Sequence, residues 1–323
     1  MGRSSMKAII ILATALAVSF AGACQLLSDQ PGEAGGRTVE AGEPSKDYGA
    51  PIHLADLEEK GVDESSGVVA SRRNPGLFWT HNDSGDGPLL YAFDREGRRR
   101  GVWSVAGAKA HDWEDVAAGP GPQRGQSYLY VGDIGDNDKD RKEIIVYRVA
   151  EPAVTADTVV NNSVEPYPTA PAEAIHLKYP DGRHDAEALA VHPATGDLYV
   201  ITKTRNPAAA AGVYKLAAPY SVGARNTLQK IGEVRVPSLF PGMITGADIS
   251  PDGSRVVLCD YFNAYELVAT GGLDQVWEQK PAVVRLGSRP QGEAVCYTLD
   301  GKSILATSEG SPAAVIEVPR VKR

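Results

Sequence analysis

Short apolar runs separated by turns rich in Gly, Pro, Asp and Asn recur along residues 49–323. In one copy the run EDVAAGP, which begins at Glu114, is followed by YLYVGD and then by IIVYRVA. Another copy, which begins at Glu187, reads EALAVHP, DLYVITK and GVYKLAA. Runs of this kind are typical of antiparallel strands joined by tight turns. No segment of this region keeps a 3.6-residue apolar period over three turns, so helices are not expected there.

The pattern occurs five times, and a repeat of this length indicates a repeat architecture. The copies begin at Glu64, Glu114, Glu187, Thr245 and Glu293. A fourth run precedes each later start, as in VWSVAG, IHLKYP, EVRVPS and VVRLG. The last copy lacks its fourth run, and PIHLADL at residues 51–57 would supply it. The sequence therefore predicts an all-β fold, a five-bladed β-propeller closed by an N-terminal strand.

The N-terminus has the features of an export signal. Arg3 and Lys7 precede the apolar run AIIILATALAVSF, and AGAC follows it. We interpret residues 1–23 as a lipoprotein-type signal peptide and Cys24 as the lipidated residue; ordinary cleavage after Ala23 is the alternative. Residues 24–48 are expected to be a flexible tether, and residues 49–323 the β-propeller domain. The protein is then exported, and only its lipid holds it at the periplasmic or extracellular face of a membrane.

Composition and charge narrow the range of partners. The chain has 323 residues, 42% of them hydrophobic, and a formal net charge of −8. This acidic balance excludes nucleic acid as the main partner, since the phosphate backbone requires a basic face. A monomer is expected. Two further cysteines, Cys259 and Cys296, lie in apolar runs, which leaves both a disulfide and two buried thiols open.

One segment resembles a known family. HDAEALAVHP, at residues 184–193, together with repeated D-x-G-D turns, is similar to bacterial exported propellers of the phytase-like group. Asp185, Ala186 and Glu187 match the phytase motif most closely. The resemblance implies a Ca²⁺-dependent phosphoester hydrolase, although propellers of that group have six blades. Lys109, Lys139, Arg141, Lys203 and Arg205 are the cations expected near a bound phosphate.

Antiparallel strands place the start of each first strand and the end of each second strand at one face of the ring, the tunnel mouth. A small-molecule, phosphoester or carbohydrate ligand is expected there. The predicted ligand-binding residues are Glu64, His81, Asp83, His111, Trp113, Glu114, Asp133, Glu187, Lys203, Asp260, Glu293 and Glu309. Trp113 would stack on a flat ligand or anchor a loop.

The pattern D-x-G-D occurs at residues 83–86 and again at residues 133–136. Crowded carboxylates repel one another, and a calcium ion with six to eight oxygen ligands would offset the repulsion. The predicted metal ligands are Glu64, Asp83, Asp86, Glu114, Asp133, Asp136 and Glu187. Two alternatives remain. The aspartates and glycines serve the turns alone, or His81, His111 and His184 join carboxylates around a transition metal.

No nucleophile elbow, phosphate loop or dinucleotide fingerprint is present in the sequence, so no reaction is assigned. The main hypothesis is a propeller that binds a cation and a ligand at an acidic mouth. Phosphoester hydrolysis, glycoside hydrolysis by paired carboxylates and a protein-interaction scaffold are the alternatives.

Overall fold

A computed structural model describes residues 43–83, 85–156, 165–289 and 291–321. Cys24, the predicted signal peptide and most of the predicted tether lie outside these ranges. Within the described residues, no helix has the length and apolarity needed to cross a membrane.

The described chain forms five antiparallel sheets arranged as the blades of a propeller. The first strand, β1 (Ile52–Asp56), belongs to the last blade. Blade 1 contains β2 (Ser65–Ala70), β3 (Leu77–Asn82), β4 (Leu89–Asp94) and β5 (Arg99–Ser104), with the short β9 (Tyr167–Pro168) parallel to β5. Blade 2 contains β6 (Trp113–Pro120), β7 (Ser127–Asp133), β8 (Ile144–Ala150) and β10 (Glu173–Lys178), with β14 (Arg225–Thr227) parallel to β10.

The other three blades follow in chain order. Blade 3 contains β11 (Ala186–Val191), β12 (Leu198–Thr202), β13 (Ala211–Leu216) and β15 (Gln229–Val234). Blade 4 contains β16 (Gly246–Ile249), β17 (Arg255–Cys259), β18 (Asn263–Val268) and β19 (Ala282–Arg285), with a 3-10 turn at Leu273–Gln275. Blade 5 contains β20 (Ala294–Tyr297), β21 (Ser303–Thr307) and β22 (Ala314–Pro319), with β1 paired antiparallel to β22.

The inner strands β2, β6, β11, β16 and β20 each contact the next, and β20 contacts β2, so the five blades form a ring. The five-bladed propeller predicted from the repeats is confirmed. The order of pairing is the meander that the apolar runs indicated, and β1 overlaps the predicted segment 51–57.

A separate apolar cluster fills the space between each pair of neighbouring blades. Between blades 1 and 2, Trp79 and Trp103 pack edge to face with ring centroids 5.0 Å apart. Full burial of a large apolar side chain stabilises a fold by about 1.5–3 kcal/mol. Cys259 and Cys296 are both buried as free thiols in these clusters, so the disulfide alternative is wrong.

Candidate functional site

The tunnel mouth is built at one end of the five inner strands. In blades 1, 2 and 3 the pairing of the inner strand shifts there by one residue, as in a β-bulge. The residues inside the three shifts are Ser66, Glu114 and Glu187. Thr245 and Glu293 immediately precede β16 and β20 and occupy the same place in blades 4 and 5. We call these five residues the ring position.

The structure corrects the sequence alignment of blade 1. Ser66 rather than Glu64 holds the ring position, so that place carries no charge in blade 1. Its hydroxyl is buried and donates a hydrogen bond to the carbonyl oxygen of Glu114 at 2.7 Å. Glu64 lies two residues earlier and is exposed. Partial desolvation and the nearby charges of Asp63 and Glu293 raise the pKa of Glu64.

Five carboxylates converge beside the ring position, and we call them the acidic mouth: Asp83, Asp112, Glu114, Glu293 and Glu309. One oxygen from each of Asp83, Asp112 and Glu114 lies within 4.8 Å of the other two. The same limit holds for Asp83, Glu293 and Glu309. Asp83 therefore joins two groups that come from blades 1, 2 and 5.

Burial and mutual repulsion hold protons on this cluster. The pKa of Glu114 is raised well above its ordinary value by burial, and further by the charges of Glu187, Asp83 and Asp112. Burial and the adjacent Glu293 raise the pKa of Glu309 to about 8. Asp112 also has a raised pKa, first through burial. Ionisation of all five carboxylates of the acidic mouth would therefore cost free energy in the absence of a neighbouring cation.

Gly135 makes room for two of these carboxylates. A Cβ atom at this position would overlap the side chains of Glu114 and Asp112. The glycine of the second D-x-G-D pattern is thus required for space. Asp112 was absent from the predicted ligands, although it lies two residues before Glu114 in the sequence.

Glu187 does not join either carboxylate group. Its carboxylate is buried and forms an ion pair with Lys203, which is also buried. Burial raises the pKa of Glu187, and Lys203 offsets part of that shift. Lys203 also lies 3.3 Å from the hydroxyl of Tyr261. Among the described residues, Glu187 is therefore outside the carboxylate groups that could hold a metal, and Lys203, which directly follows β12 of the same blade, is its counter-ion.

Asp133 is likewise neutralised by a fixed cation. It is 1% exposed and pairs with Arg141 at 2.8 Å. Asp133 lies opposite Trp113, whereas Asn82 lies opposite Ser65, so the two D-x-G-D patterns are offset by one residue in their blades. Asp133 is the counterpart of Asn82, and its predicted role as a metal ligand is not supported.

The last aspartate of each pattern closes a turn. Asp86 accepts hydrogen bonds from the Asn82 side-chain amide at 3.0 Å, the Gly87 N–H at 2.7 Å and the Tyr91 hydroxyl at 3.0 Å. Asp136 accepts from the backbone N–H of Asp140 at 2.9 Å. Neither belongs to the carboxylate groups found among the described residues. For these two residues the turn interpretation describes the structure.

The three histidines do not converge. His81 is fully buried, and desolvation lowers its pKa to about 4. His111 is exposed. His184 lies 3.0 Å from Asp181 and 3.0 Å from the Tyr214 hydroxyl. No histidine enters the potential metal-ligand groups in the described part of the chain, so the transition-metal alternative receives no support.

Trp113 is not a surface for ligand stacking. It is 1% exposed and belongs to the apolar cluster between blades 1 and 2. Its indole N–H donates to the carbonyl oxygen of Lys109 at 2.9 Å, and the ring packs against His81 and Tyr147. The loop-anchor alternative is therefore the one that the structure supports.

Asp260 ends the second strand of blade 4, as predicted, but its carboxylate is used locally. It accepts hydrogen bonds from the N–H groups of Phe262 and Asn263, both at 2.8 Å, and from the Tyr265 hydroxyl at 2.7 Å. Its carbonyl oxygen is 3.3 Å from the buried guanidinium of Arg289. Arg289 also donates to the carbonyl oxygen of Thr307 at 2.9 Å, and the sequence analysis missed it.

Two further buried aspartates accept hydrogen bonds from backbone N–H groups of inner strands in other blades. Asp115 accepts hydrogen bonds from the N–H groups of Leu189 at 2.9 Å and Ala247 at 3.1 Å, and so links blades 2, 3 and 4. Asp248 accepts from the Tyr297 N–H at 2.8 Å, and burial raises its pKa to about 6. These carboxylates stabilise the narrow centre of the ring.

Comparisons with known proteins add one structural likeness. No protein-family model matches the chain, and no curated protein matches it. Among solved structures, the chain is similar to the WD40 domain of Pan2 from Neurospora crassa, with 10% sequence identity and a TM-score of 0.43. That similarity covers 86% of this chain and 98% of the Pan2 domain chain.

Proposed function

We propose that the protein is an exported, lipid-anchored β-propeller that binds a divalent cation at the acidic mouth. Among divalent cations, Ca²⁺ is the ion that we propose first. The observation that carries this proposal is the position of Asp83, which is shared by two groups of three carboxylates. Calcium accepts six to eight oxygen ligands in flexible geometry, and carboxylates are its common protein ligands. Burial and the charges of neighbouring carboxylates raise the pKa of Glu114 and Glu309, and a bound cation would offset both effects.

The basic side chains nearby also support a metal ion as the cation of the acidic mouth. Lys203 is paired with Glu187, and Arg141 with Asp133, so these two charges are committed to carboxylates outside the acidic mouth. A ligand whose oxygen atoms complete the coordination of the ion would then bind at the mouth. The predicted phosphoester and carbohydrate ligands both offer such oxygens.

Thermal melts test the cation site. Wild-type protein, Asp83→Asn and the exposed control Asp138→Asn are each melted with Ca²⁺ and with a chelator. A ligand at a hundred times its Kd stabilises the folded state by about 2.7 kcal/mol. We expect this increment in the wild type and in Asp138→Asn, and its loss in Asp83→Asn. Equal melting curves with Ca²⁺ and with chelator in the wild type would refute the site.

Glycoside hydrolysis is a second candidate, favoured by the pairing of Glu309 with Glu293. Burial, and then the charge of Glu293, raise the pKa of Glu309 to about 8, and a general acid needs a raised pKa of this kind. Assays with aryl glycosides should then show turnover that Glu309→Gln abolishes. Turnover that survives in Glu309→Gln would remove this residue as the acid.

The anchoring proposal rests on the sequence alone. Cys24 in the AGAC segment is the residue that would carry lipid. Cys24→Ser should move the protein from the membrane fraction to the soluble fraction of cells that express the full chain. Wild-type protein that is wholly soluble would contradict the proposal.

A further inference from the structure

Three large apolar side chains are exposed on the mouth face of blades 3 and 4. Leu239 is 68% exposed, Phe262 61% and Phe240 37%. Leu239 and Phe240 lie in the connection between β15 and β16, and Phe262 lies in the turn between β17 and β18. Both segments reach the end of the ring that carries the acidic mouth. We call these three residues the apolar rim.

Hydrogen bonds fix the shorter segment of the apolar rim. The Tyr265 hydroxyl donates to the carboxylate of Asp260 at 2.7 Å. Asp260 in turn accepts from the backbone N–H groups of Phe262 and Asn263, both at 2.8 Å. The turn that presents Phe262 is therefore held in place by Asp260.

The longer of the two segments is also fixed internally. Met243 donates its N–H to the carbonyl oxygen of Phe240 at 2.9 Å, and Val236 donates to Pro241 at 3.0 Å. Thr204 of blade 3 donates to the carbonyl oxygen of Gly242 at 2.8 Å. The exposed side chains therefore project from an ordered backbone, which lowers the entropic cost of binding.

The apolar rim adjoins the charged centre of the mouth face. Tyr261 immediately precedes Phe262, and its hydroxyl lies 3.3 Å from the ammonium of Lys203. Burial raises the pKa of this hydroxyl, Lys203 lowers it, and the charges of Glu293 and Glu187 raise it further. A ligand that covers Phe262 would thus reach the acidic mouth across Tyr261.

We propose that this face docks a polypeptide segment of a partner protein, with apolar side chains on the apolar rim and a Lys or Arg side chain at the acidic mouth. This proposal rests on the acidic mouth, as the proposed function does, and it adds the class of partner that binds there. Charge complementarity favours a basic segment, because the mouth carries five carboxylates and the whole chain a net charge of −8. An anionic lipid surface would be repelled by the same carboxylates. A propeller fold is consistent with such a protein-interaction scaffold.

Selection from a phage-displayed library of random dodecapeptides tests the proposal on the folded protein in the absence of Ca²⁺. Parallel selections use the wild type and the double variant Leu239→Ser, Phe262→Ser, in which both substituted side chains are exposed. We expect the wild type to enrich peptides that combine two or more apolar residues with Lys or Arg. The double variant should not enrich them.

A synthetic peptide of the enriched sequence then gives the affinities. Phe262→Ser should weaken its binding about tenfold, since burial of a phenyl ring is worth at least one factor of ten in affinity. Saturating Ca²⁺ should weaken binding as well, because the ion and the basic side chain compete for the same carboxylates. Val222→Ser, at an exposed apolar residue outside the rim, serves as control and should leave the affinity unchanged.

Several results would overturn the inference. Enrichment of acidic peptides on the wild type would overturn it. Enrichment of the same peptides on the wild type and on the double variant would also overturn it. A wild type that forms dimers which the double variant abolishes would assign the apolar rim to self-association, and binding to neutral lipid vesicles would assign it to a membrane. If Ca²⁺ still stabilises the wild type in melts while no peptide is enriched, the peptide proposal fails and the cation proposal stands.

Discussion

Residues 83–86 of blade 1 and residues 133–136 of blade 2 share the D-x-G-D pattern, yet their first aspartates lie in different surroundings. Asp83 is half-buried among carboxylates, while Asp133 is buried against Arg141. The glycines differ as well. Gly85 has a φ of +93° and open space around it, whereas Gly135 gives room to two carboxylates. A shift of one residue in strand register therefore separates a carboxylate of the acidic mouth from a carboxylate in a structural ion pair.

The strongest test of this comparison is Asp133→Asn. Removal of the charge leaves the partly buried Arg141 guanidinium without the carboxylate of Asp133, and breaking a largely buried pair in this way costs about 3 kcal/mol. We expect a clear loss in the free energy of unfolding measured with urea, with no change in the Ca²⁺ response. Asp138→Asn, an exposed residue of the same turn, should unfold like the wild type. A loss of the Ca²⁺ response in Asp133→Asn would return this residue to the cation site.

The two glycines should respond differently to alanine. Gly135→Ala forces a methyl group against the Glu114 and Asp112 carboxylates, and overpacking of this kind costs about 2 kcal/mol. It should also weaken the Ca²⁺ response, because it displaces two proposed ligands. Gly85→Ala meets no neighbouring atom and should cost only about 1 kcal/mol through its positive φ, with the response retained. Calcium titrations followed by thermal melting would show the difference, and equal responses in the two variants would contradict it.

Asp83→Asn should act in the direction opposite to Asp133→Asn when no metal is present. It removes one negative charge from the acidic mouth and leaves the shape of the side chain unchanged. We expect a gain of about 1 kcal/mol in the free energy of unfolding in chelator, because the remaining carboxylates repel one another less. A loss of stability under these conditions would contradict this prediction.

Protonation of Glu309 should make the stability of the protein depend on pH. The pKa of Glu309 is raised to about 8 in the folded state, so the folded protein holds this proton more firmly than the unfolded chain does. The stabilisation is fully present below the ordinary glutamate value near 4.5 and is lost as the pH rises through about 8. Melting temperatures in chelator should fall over this range, and Glu309→Gln should reduce the slope. Calcium should stabilise the protein most at the upper end, where the carboxylates are ionised. A melting temperature that rises from pH 5 to pH 8 in chelator would contradict this reading.

The architecture of this protein could be predicted from its amino-acid sequence. Alternating apolar runs and turn residues predict strands, and the fivefold recurrence of those runs predicts a propeller, because each sheet must bury its faces against the next. The sequence also placed acidic residues at one face, since antiparallel strands bring the start of one and the end of the next together. These conclusions depend on the periodicity of the apolar runs, which can be read from the sequence alone.

Which acidic residues lie close together could not be predicted, because it depends on how the blades pack. Glu187 and Asp133 looked equivalent to Glu114 and Asp83 in the sequence, but Lys203 and Arg141 neutralise the first two. Ser66 replaces Glu64 at the ring position because the bulge of β2 falls two residues later than the aligned glutamates indicate. Register, bulges and counter-ions depend on contacts between strands that are distant along the chain. The repeat pattern therefore specifies the blades, whereas the packing of those blades around the tunnel selects the carboxylates of the acidic mouth.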